Sequence, residues 1–377
     1  MDVTLDEEQE HFKKTFQDFL EAECPSTLLR ELEESDEGYS KELWDKMAEL
    51  GWMGLGLPEE YGGVVNDFVV LMLLYEEIGR SLMPSPHFST VALCGRTIAK
   101  CGSEEQKKDL IEKIAGGQLT MSLTLVEEAG TYNPADINTE AKAEGDSYLL
   151  NGTKMFVPYA DTADCLLVVA RTGAGGPEGK GITLFMVDPA ESGVSIAPLQ
   201  VISGEKVFEV TLENVKVSGI GMVGEEGGGW DPLADSLDEA KALLCAEMVG
   251  GSQKAVDMAV DYAKERVQFG RPIGSFQANS FRLADFQTEV DGGRLLTYEA
   301  GWKINEDQAG QKETAMAMSY MSDLYKKVAH GCLQVHGGYG FMEEFDMQLY
   351  FRRSKSCEAL LGGADQHREI VARQMDL

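Results

Sequence analysis

The hydrophobic repeat of this chain changes period twice, and that change limits the fold more than any single motif. Up to about residue 120, apolar residues recur every three to four positions, as in Phe12, Phe16, Phe19 and Leu20, then Leu43, Trp44, Met47 and Leu50. That spacing predicts amphipathic helices. From about 121 to 228 the repeat shortens to two. "SYLLNGTKMFVPYA" carries an Asn151-Gly152 pair between apolar flanks, which predicts a β-hairpin turning at that pair. "ADCLLVVART", "GITLFMVDP", "GVSIAPLQV" and "KVFEVTLENVKV" follow as short strands between turns of Gly, Pro and charged residues. After "GEEGGGWDP" the helical repeat returns. Leu244, Met248, Ala255, Ala259 and Tyr262 mark one face of a helix expected to run to "ERVQFG", where Gly270 and Pro272 end it. Further helices are expected over 276–335 and 343–376. The order predicts an α+β chain of three parts: an N-terminal helical domain (1–120), a central β-domain (121–228) built as a small barrel or pair of sheets, and a C-terminal helical bundle (229–377). With helices on both sides of the β-domain, the two helical parts are expected to pack as one layer.

Charge narrows the partners. Across 377 residues, 64 acids against 33 Lys and Arg give a net charge of -31. That field disfavours nucleic acid and anionic membrane surfaces, though not a phosphorylated ligand met by a local cation. The seven cysteines are scattered without C-x-x-C spacing, so reduced thiols are expected and no metal site. "MDVTLDEEQEHFKK" lacks the apolar segment of a signal peptide, and "FVVLMLLY" (68–75) is too short to span a bilayer. A cytoplasmic location is the resulting expectation.

One stretch near the C-terminus, "CEALLGGADQH" (357–367), raises a chemical question. Its paired glycines would let backbone pass close to a ligand, yet Leu361 just before them has nothing to ionise.

Several segments taken together resemble one family. "WDKMAELGWMGLGLPEEYGG", "GSEEQKKDLIEKIAGGQ", "LNGTKMFVPYADTADCLLVVART", "YAKERVQFGRPIGSFQ" and "LQVHGGYGF" resemble the acyl-CoA dehydrogenases in order and spacing, over nearly the whole chain. The most specific pieces are R-x-x-F-G-x-x-x-x-x-x-Q (Arg266 to Gln277) and Q-x-x-G-G-x-G (Gln334 to Gly340). The resemblance implies the three-domain fold above, assembled as dimers or dimers of dimers around FAD. It also implies a chemistry: a carboxylate removes the α-proton of an acyl-CoA thioester while the β-hydrogen leaves as hydride to the flavin. In most members that base is a Glu at the position of Leu361. In some it lies where this chain has Ala240. Neither side chain takes a proton, and of the nearby acids Glu239 and Glu358 either could be a displaced base or a solvated surface charge.

The resemblance implies changes on the flavin-ring side too. The family's T-E-P-x-x-G-S-D reads "VEEAGTYN" here, with Val126 for the Thr and Tyr132 and Asn133 for the Ser-Asp. Its W-x-T reads "FVP", so Phe156 replaces the Trp and Pro158, which has no N–H, replaces the Thr beside the flavin. Gly363 and Asp365 replace a Thr and a Gln that contact the cofactor. The residues that in the family reach a neighbouring subunit's FAD are retained: Arg266 toward the pyrophosphate, with Gln268, Phe269 and Gln277 beside it, and Gln334, Gly337 and Gly338 on the adenine side. Read without the family, Arg266 is a surface charge at a helix C-terminus, Phe269 is core, the glycine pair is a helix cap and His336 is packed against its neighbours rather than catalytic.

This asymmetry leads to an expected function. The chain is expected to be a subunit of a heteromeric, FAD-dependent acyl-CoA dehydrogenase, an oxidoreductase of CH–CH groups in fatty acid or acyl-CoA degradation. It would lack its own base and complete the FAD site of a related catalytic subunit, as a two-plus-two heterotetramer. Acyl-CoA is the substrate and an electron-transfer flavoprotein the family's usual electron acceptor. Two alternatives stand beside it: a self-sufficient FAD homotetramer with a relocated base or different acyl-CoA chemistry, and a flavin-free acyl-CoA-binding or assembly protein.

Overall fold

A computed structural model describes residues 4–173, 179–306, 308 and 310–377, so the first three residues of the acidic N-terminal stretch lie outside the described residues. The chain divides into two compact units. One gathers Met1–Arg30, Phe68–Met83 and Lys241–Leu377; the other gathers Glu31–Asp67 and Pro84–Ala240.

The first unit is helical. Helix Glu7–Glu23 starts at a capping box, in which the Asp6 carboxylate accepts from the Gln9 backbone N–H and the Gln9 side-chain oxygen accepts from the Asp6 N–H. It buries Phe16 and Leu20, two of the residues whose spacing predicted it. "FVVLMLLY" becomes the first half of helix Phe68–Ser81, apolar all round because nearly all of it is buried. Both helices group with the C-terminal helices Gln277–Asn305, Gln311–His336, Met347–Ala359 and Ala364–Arg373, whereas Lys41–Glu49 and the helical turns over 88–115 group with the strands. The expected single layer therefore holds for only part of the N-terminal helices. Within the helical unit, Phe68–Ser81 crosses helix Trp230–Glu265 at two glycines. A Cβ on Gly79 would lie 1.9 Å from the Glu247 carbonyl oxygen, and one on Gly250 would lie 1.7 Å from that of Glu76. The Glu76 carboxylate, buried nearby, accepts from Lys13 (2.8 Å) and the Tyr298 hydroxyl (2.6 Å). Burial alone would raise its pKa, but Lys13 and Arg294 hold it below the ordinary value.

The second unit carries the strands β1 (Met121–Thr124), β2 (Glu140–Glu144), β3 (Ser147–Pro158), β4 (Cys165–Arg171), β5 (Ile182–Val187), β6 (Val194–Leu199), β7 (Val207–Ser218) and β8 (Met222–Val223). They pair in the order β6-β7-β3-β2-β4-β5-β8, with β1 also on β4. β2 meets β4 through the single pair Glu140–Arg171, so the sheet is nearly severed there. Its two halves share one core, with Leu150, Val157, Phe208 and Val210 from one and Leu166, Val168, Phe185 and Val187 from the other. The Tyr148 and Phe185 rings meet at 5.0 Å across it.

Three local expectations need correction. Asn151-Gly152 is not a turn: it lies inside β3, and the chain turns instead between Glu144 and Ser147, at Gly145 (φ 63°) and Asp146. At Gly152 the ladder slips register, and a Cβ there would press to 2.4 Å from Thr139, so the glycine serves a close strand approach. Helix Trp230–Glu265 stops before "VQFG", because Val267–Gln268 and Arg271–Pro272 pair as a small hairpin. Leu50, expected on a buried face, is 51% exposed beyond the end of helix Lys41–Glu49.

Candidate functional site

The hairpin after helix Trp230–Glu265 organises the candidate site on the helical unit. Phe269 (φ 54°) and Gly270 (φ 79°) both take left-handed conformations between Gln268 and Arg271, the geometry of a tight type I′ turn. A phenylalanine in that region carries strain of about 1 kcal/mol that packing does not repay, since Phe269 is 92% exposed. The reading of Phe269 as core is therefore wrong. Arg266 sits where helix becomes hairpin: its N–H donates to the Tyr262 carbonyl and its carbonyl accepts from the Ile273 N–H, both at 2.8 Å.

Beside the hairpin lies an open depression of about 730 Å³. Its walls include Arg266, Gln268, Tyr262 and Ile273 from the hairpin side, and His336, Gly337, Gly338 and Tyr339 from the end of helix Gln311–His336. Among the described residues that line it, Arg266 is the one cation and none is an acid, in a chain of net charge -31. The guanidinium stands 5.6 Å from the centroid of the Tyr339 ring. Tyr262 stacks on His336 at 4.5 Å and 23°. Gly337 has φ 62°, and a Cβ on either Gly337 or Gly338 would meet nothing within 4 Å, so this backbone is bare to whatever enters. The depression thus brings together four residues singled out from sequence: Arg266, Gln268, Gly337 and Gly338. Three others stand outside its lining. Phe269 is at the hairpin tip, Gln277 is exposed as the first residue of helix Gln277–Asn305, and Gln334 is exposed one turn before the glycine pair. Tyr262, Ile273, Val335, Tyr339 and Met342 also line it and carry no sequence signal apart from ordinary core or loop character.

Leu361, also on the helical unit, is 3% exposed with φ 57°. His367 Nε2 donates to its carbonyl at 3.1 Å, which ties the tip "LGG" to the next helix. Glu358 pairs with Lys326, and Asp365 with Arg368 at 2.7 Å. Neither acid is unpaired.

On the other unit, Ala240 is fully buried. Its neighbour Glu239 accepts from Arg96 Nε at 2.6 Å and Lys100 Nζ at 2.8 Å, while Arg96 also reaches the Gly56 carbonyl. Burial would raise the Glu239 carboxyl, but the two cations hold it below the ordinary carboxylate value. A base must be free to accept a proton within reach of it; Glu239 is an ion-pair partner instead. Val126 has a backbone N–H and carbonyl but no side-chain donor, and Pro158 has only its carbonyl; the Met155 N–H donates to the Val126 carbonyl (2.8 Å) and the Ser122 hydroxyl to that of Pro158 (2.5 Å). Tyr132 and Asn133 lie in a loop where the Asn133 side chain caps the short turn Pro134–Asp136. Phe156 occupies a bulge of β3 with φ 56° and stays 54% exposed.

Comparison with known proteins fixes the family. Models of the acyl-CoA dehydrogenase N-terminal, middle and C-terminal domains match residues 6–118, 122–215 and 227–376. The caffeyl-CoA reductase-Etf complex subunit CarC of Acetobacterium woodii is 32% identical, the match covering 98% of each chain. The chain belongs to the acyl-CoA dehydrogenase family. Among solved structures, butyryl-CoA dehydrogenase from Megasphaera elsdenii superposes with a TM-score of 0.91 at 28% identity, covering 100% of both chains. The ChsE4-ChsE5 complex from Mycobacterium tuberculosis gives 0.90 at 28% identity, covering 100% of this chain and 99% of that one. The three-domain acyl-CoA dehydrogenase fold is thus the fold of this chain, and its relatives are FAD-dependent oxidoreductases, dehydrogenases and reductases among them. Among the described residues no helix is long and apolar enough to cross a membrane.

The family cofactor can be tested against these residues. One cation, bare glycine backbone and aromatic walls in an open depression fit the phosphates and adenosine of a dinucleotide. Val126 and Pro158 do not fit the flavin-ring role, because neither has a side-chain donor and Pro158 has no N–H.

Proposed function

We propose that this chain is the non-catalytic subunit of a heteromeric acyl-CoA dehydrogenase, and that its Arg266 depression completes the FAD site of a related catalytic subunit. The observation that carries this reading is the coexistence of that depression with two base positions that hold Leu361 and Ala240. FAD supplies hydride acceptance when bound. This chain's part is to hold its far end: Arg266 neutralises phosphate charge, and Gly337 and Gly338 admit it closely. Gln268 lines the same wall, while Phe269, Gln277 and Gln334 stand near the approach, available once a partner closes over them. The partner would supply the glutamate, the flavin-ring donors and the acyl pocket. That ChsE4-ChsE5 is a complex of two named chains, and that CarC belongs to a complex with Etf, supports looking for both a paired subunit and an electron-transfer flavoprotein. Under this reading the chain divides near 120 and 228, and a two-plus-two assembly closes by symmetry.

The experiment is co-purification with a related chain that bears the glutamate, followed by Arg266→Ala in this chain alone. The complex should lose much of its bound flavin while remaining assembled. Unchanged flavin content in the assembled variant would remove Arg266 from the proposal, and with it the shared site.

A further inference from the structure

We infer that His336 selects the base that enters the depression: its Nε2 accepts a hydrogen bond from an exocyclic amino group, so the site takes an adenine nucleotide in preference to one with a 6-oxo purine. This rests on reading the depression as a nucleotide cradle, and it adds a role for a residue whose stacking otherwise looks like plain packing.

The argument is one of tautomer. His336 Nδ1 lies 2.8 Å from the Cys332 carbonyl oxygen, one turn back on the same helix. A carbonyl oxygen only accepts, so Nδ1 must carry the proton, and in a neutral imidazole the lone pair then sits on Nε2. Burial holds the ring below its ordinary pKa, only partly offset by the Cys332 bond, which keeps it neutral at physiological pH. Among the described residues Nε2 has no hydrogen-bond partner, and it is not among the fully buried polar atoms that lack one. His336 lines the depression, so that nitrogen is left for a ligand. Tyr262, stacked at 4.5 Å, fixes the plane of the ring, and the acceptor is oriented before any ligand arrives. Bare backbone at Gly337 and Gly338 leaves room for the edge of a base, while Arg266 offers the charge for its phosphates. An amino group at the purine 6-position donates to Nε2; a carbonyl there sets acceptor against acceptor and leaves both unpaired.

The test uses the full chain with ADP and IDP as probes, titrated to millimolar and followed by ligand-observed NMR. The wild type should bind ADP about tenfold more tightly than IDP, the discrimination of one neutral hydrogen bond. His336→Phe keeps a ring on Tyr262 but no acceptor, and should bind the two alike; His336→Gln, which restores an acceptor, should recover part of the preference. Arg266→Ala should weaken both nucleotides equally and keep the ratio. Equal binding of ADP and IDP by the wild type, or a preference that survives His336→Phe, overturns the inference. If that equal binding still depends on Arg266, the cradle reading stands without base selection. Binding of neither nucleotide, or indifference to Arg266→Ala, removes both.

Discussion

Replacing Gly250 by alanine tests how closely two helices of the helical unit cross. In an ordinary helix interior the change is favourable by about 1 kcal/mol, because glycine loses more backbone entropy on folding. Here the new Cβ would lie 1.7 Å from the Glu76 carbonyl oxygen and 2.9 Å from the Arg80 nitrogen, against about 3.4 Å for ordinary contact. Helix Phe68–Ser81 would have to withdraw by 3.4 minus 1.7, about 1.7 Å. The obstacle is backbone, so no side chain can rotate away. Forced overpacking of this kind costs about 3 kcal/mol or more, which leaves a net loss near 2 kcal/mol after the propensity gain. Gly79 faces the same crossing from the other helix, where an added Cβ would lie 1.9 Å from the Glu247 carbonyl oxygen. Once one alanine has pushed the helices apart, the second should cost much less than it does alone. Urea denaturation of the two single variants and the double variant measures this directly. A Gly250→Ala protein more stable than wild type, or strictly additive losses in the double variant, would refute the reasoning.

Two further outcomes follow from charged and titratable groups. Glu239→Ala leaves Arg96 and Lys100 without their shared carboxylate at positions no more than 28% exposed, and should cost about 3 kcal/mol in denaturant unfolding at neutral pH; because the carboxyl is held low in the fold, that contribution should be present above its unfolded pKa and fade as pH falls through the folded one. Burial pushes His87 down to about 4 from an unfolded value near 6.5, so between those pH values the unfolded chain binds the extra proton; the stability present above pH ~6.5 should fall by about 3 kcal/mol toward pH ~4, and His87→Gln should remove that component of the pH profile.

Where periodicity carried the information, the fold could be read in advance. The segments predicted as β4, β5, β6 and β7 are strands: β6 and β7 alternate between the core and the outer side, whereas β4 and β5 are short apolar runs buried on both faces. β2 escaped because "EAKAE" buries only Ala141, and nothing in such a polar run announces a strand except the neighbour it pairs with. Asn151-Gly152 misled for a physical reason: glycine serves close approach as well as turns, and the Thr139 contact that decides between them lies outside the local sequence. Phe269 misled in the opposite way, as an aromatic in a left-handed turn that buries almost nothing within its own chain.

The candidate site was legible to the extent that a family motif spelled it out. Arg266, Gln268, Gly337 and Gly338 converge on one depression although some seventy positions separate the pairs in the sequence. The aromatic walls were not legible, because Tyr262 and Tyr339 look like any bundle aromatic until the hairpin sets their neighbours. Nor was the Arg96–Glu239–Lys100 cluster, where the two cations share one helix but the acid comes from a segment about 140 residues later.

Flavin content of the chain purified alone tests the central claim most directly. If the Arg266 depression serves another subunit's cofactor, the isolated chain should carry far less than one FAD per polypeptide, and should become yellow and active on acyl-CoA only when produced together with a related chain bearing the glutamate. One FAD per chain in a homogeneous sample of this protein by itself would contradict the account.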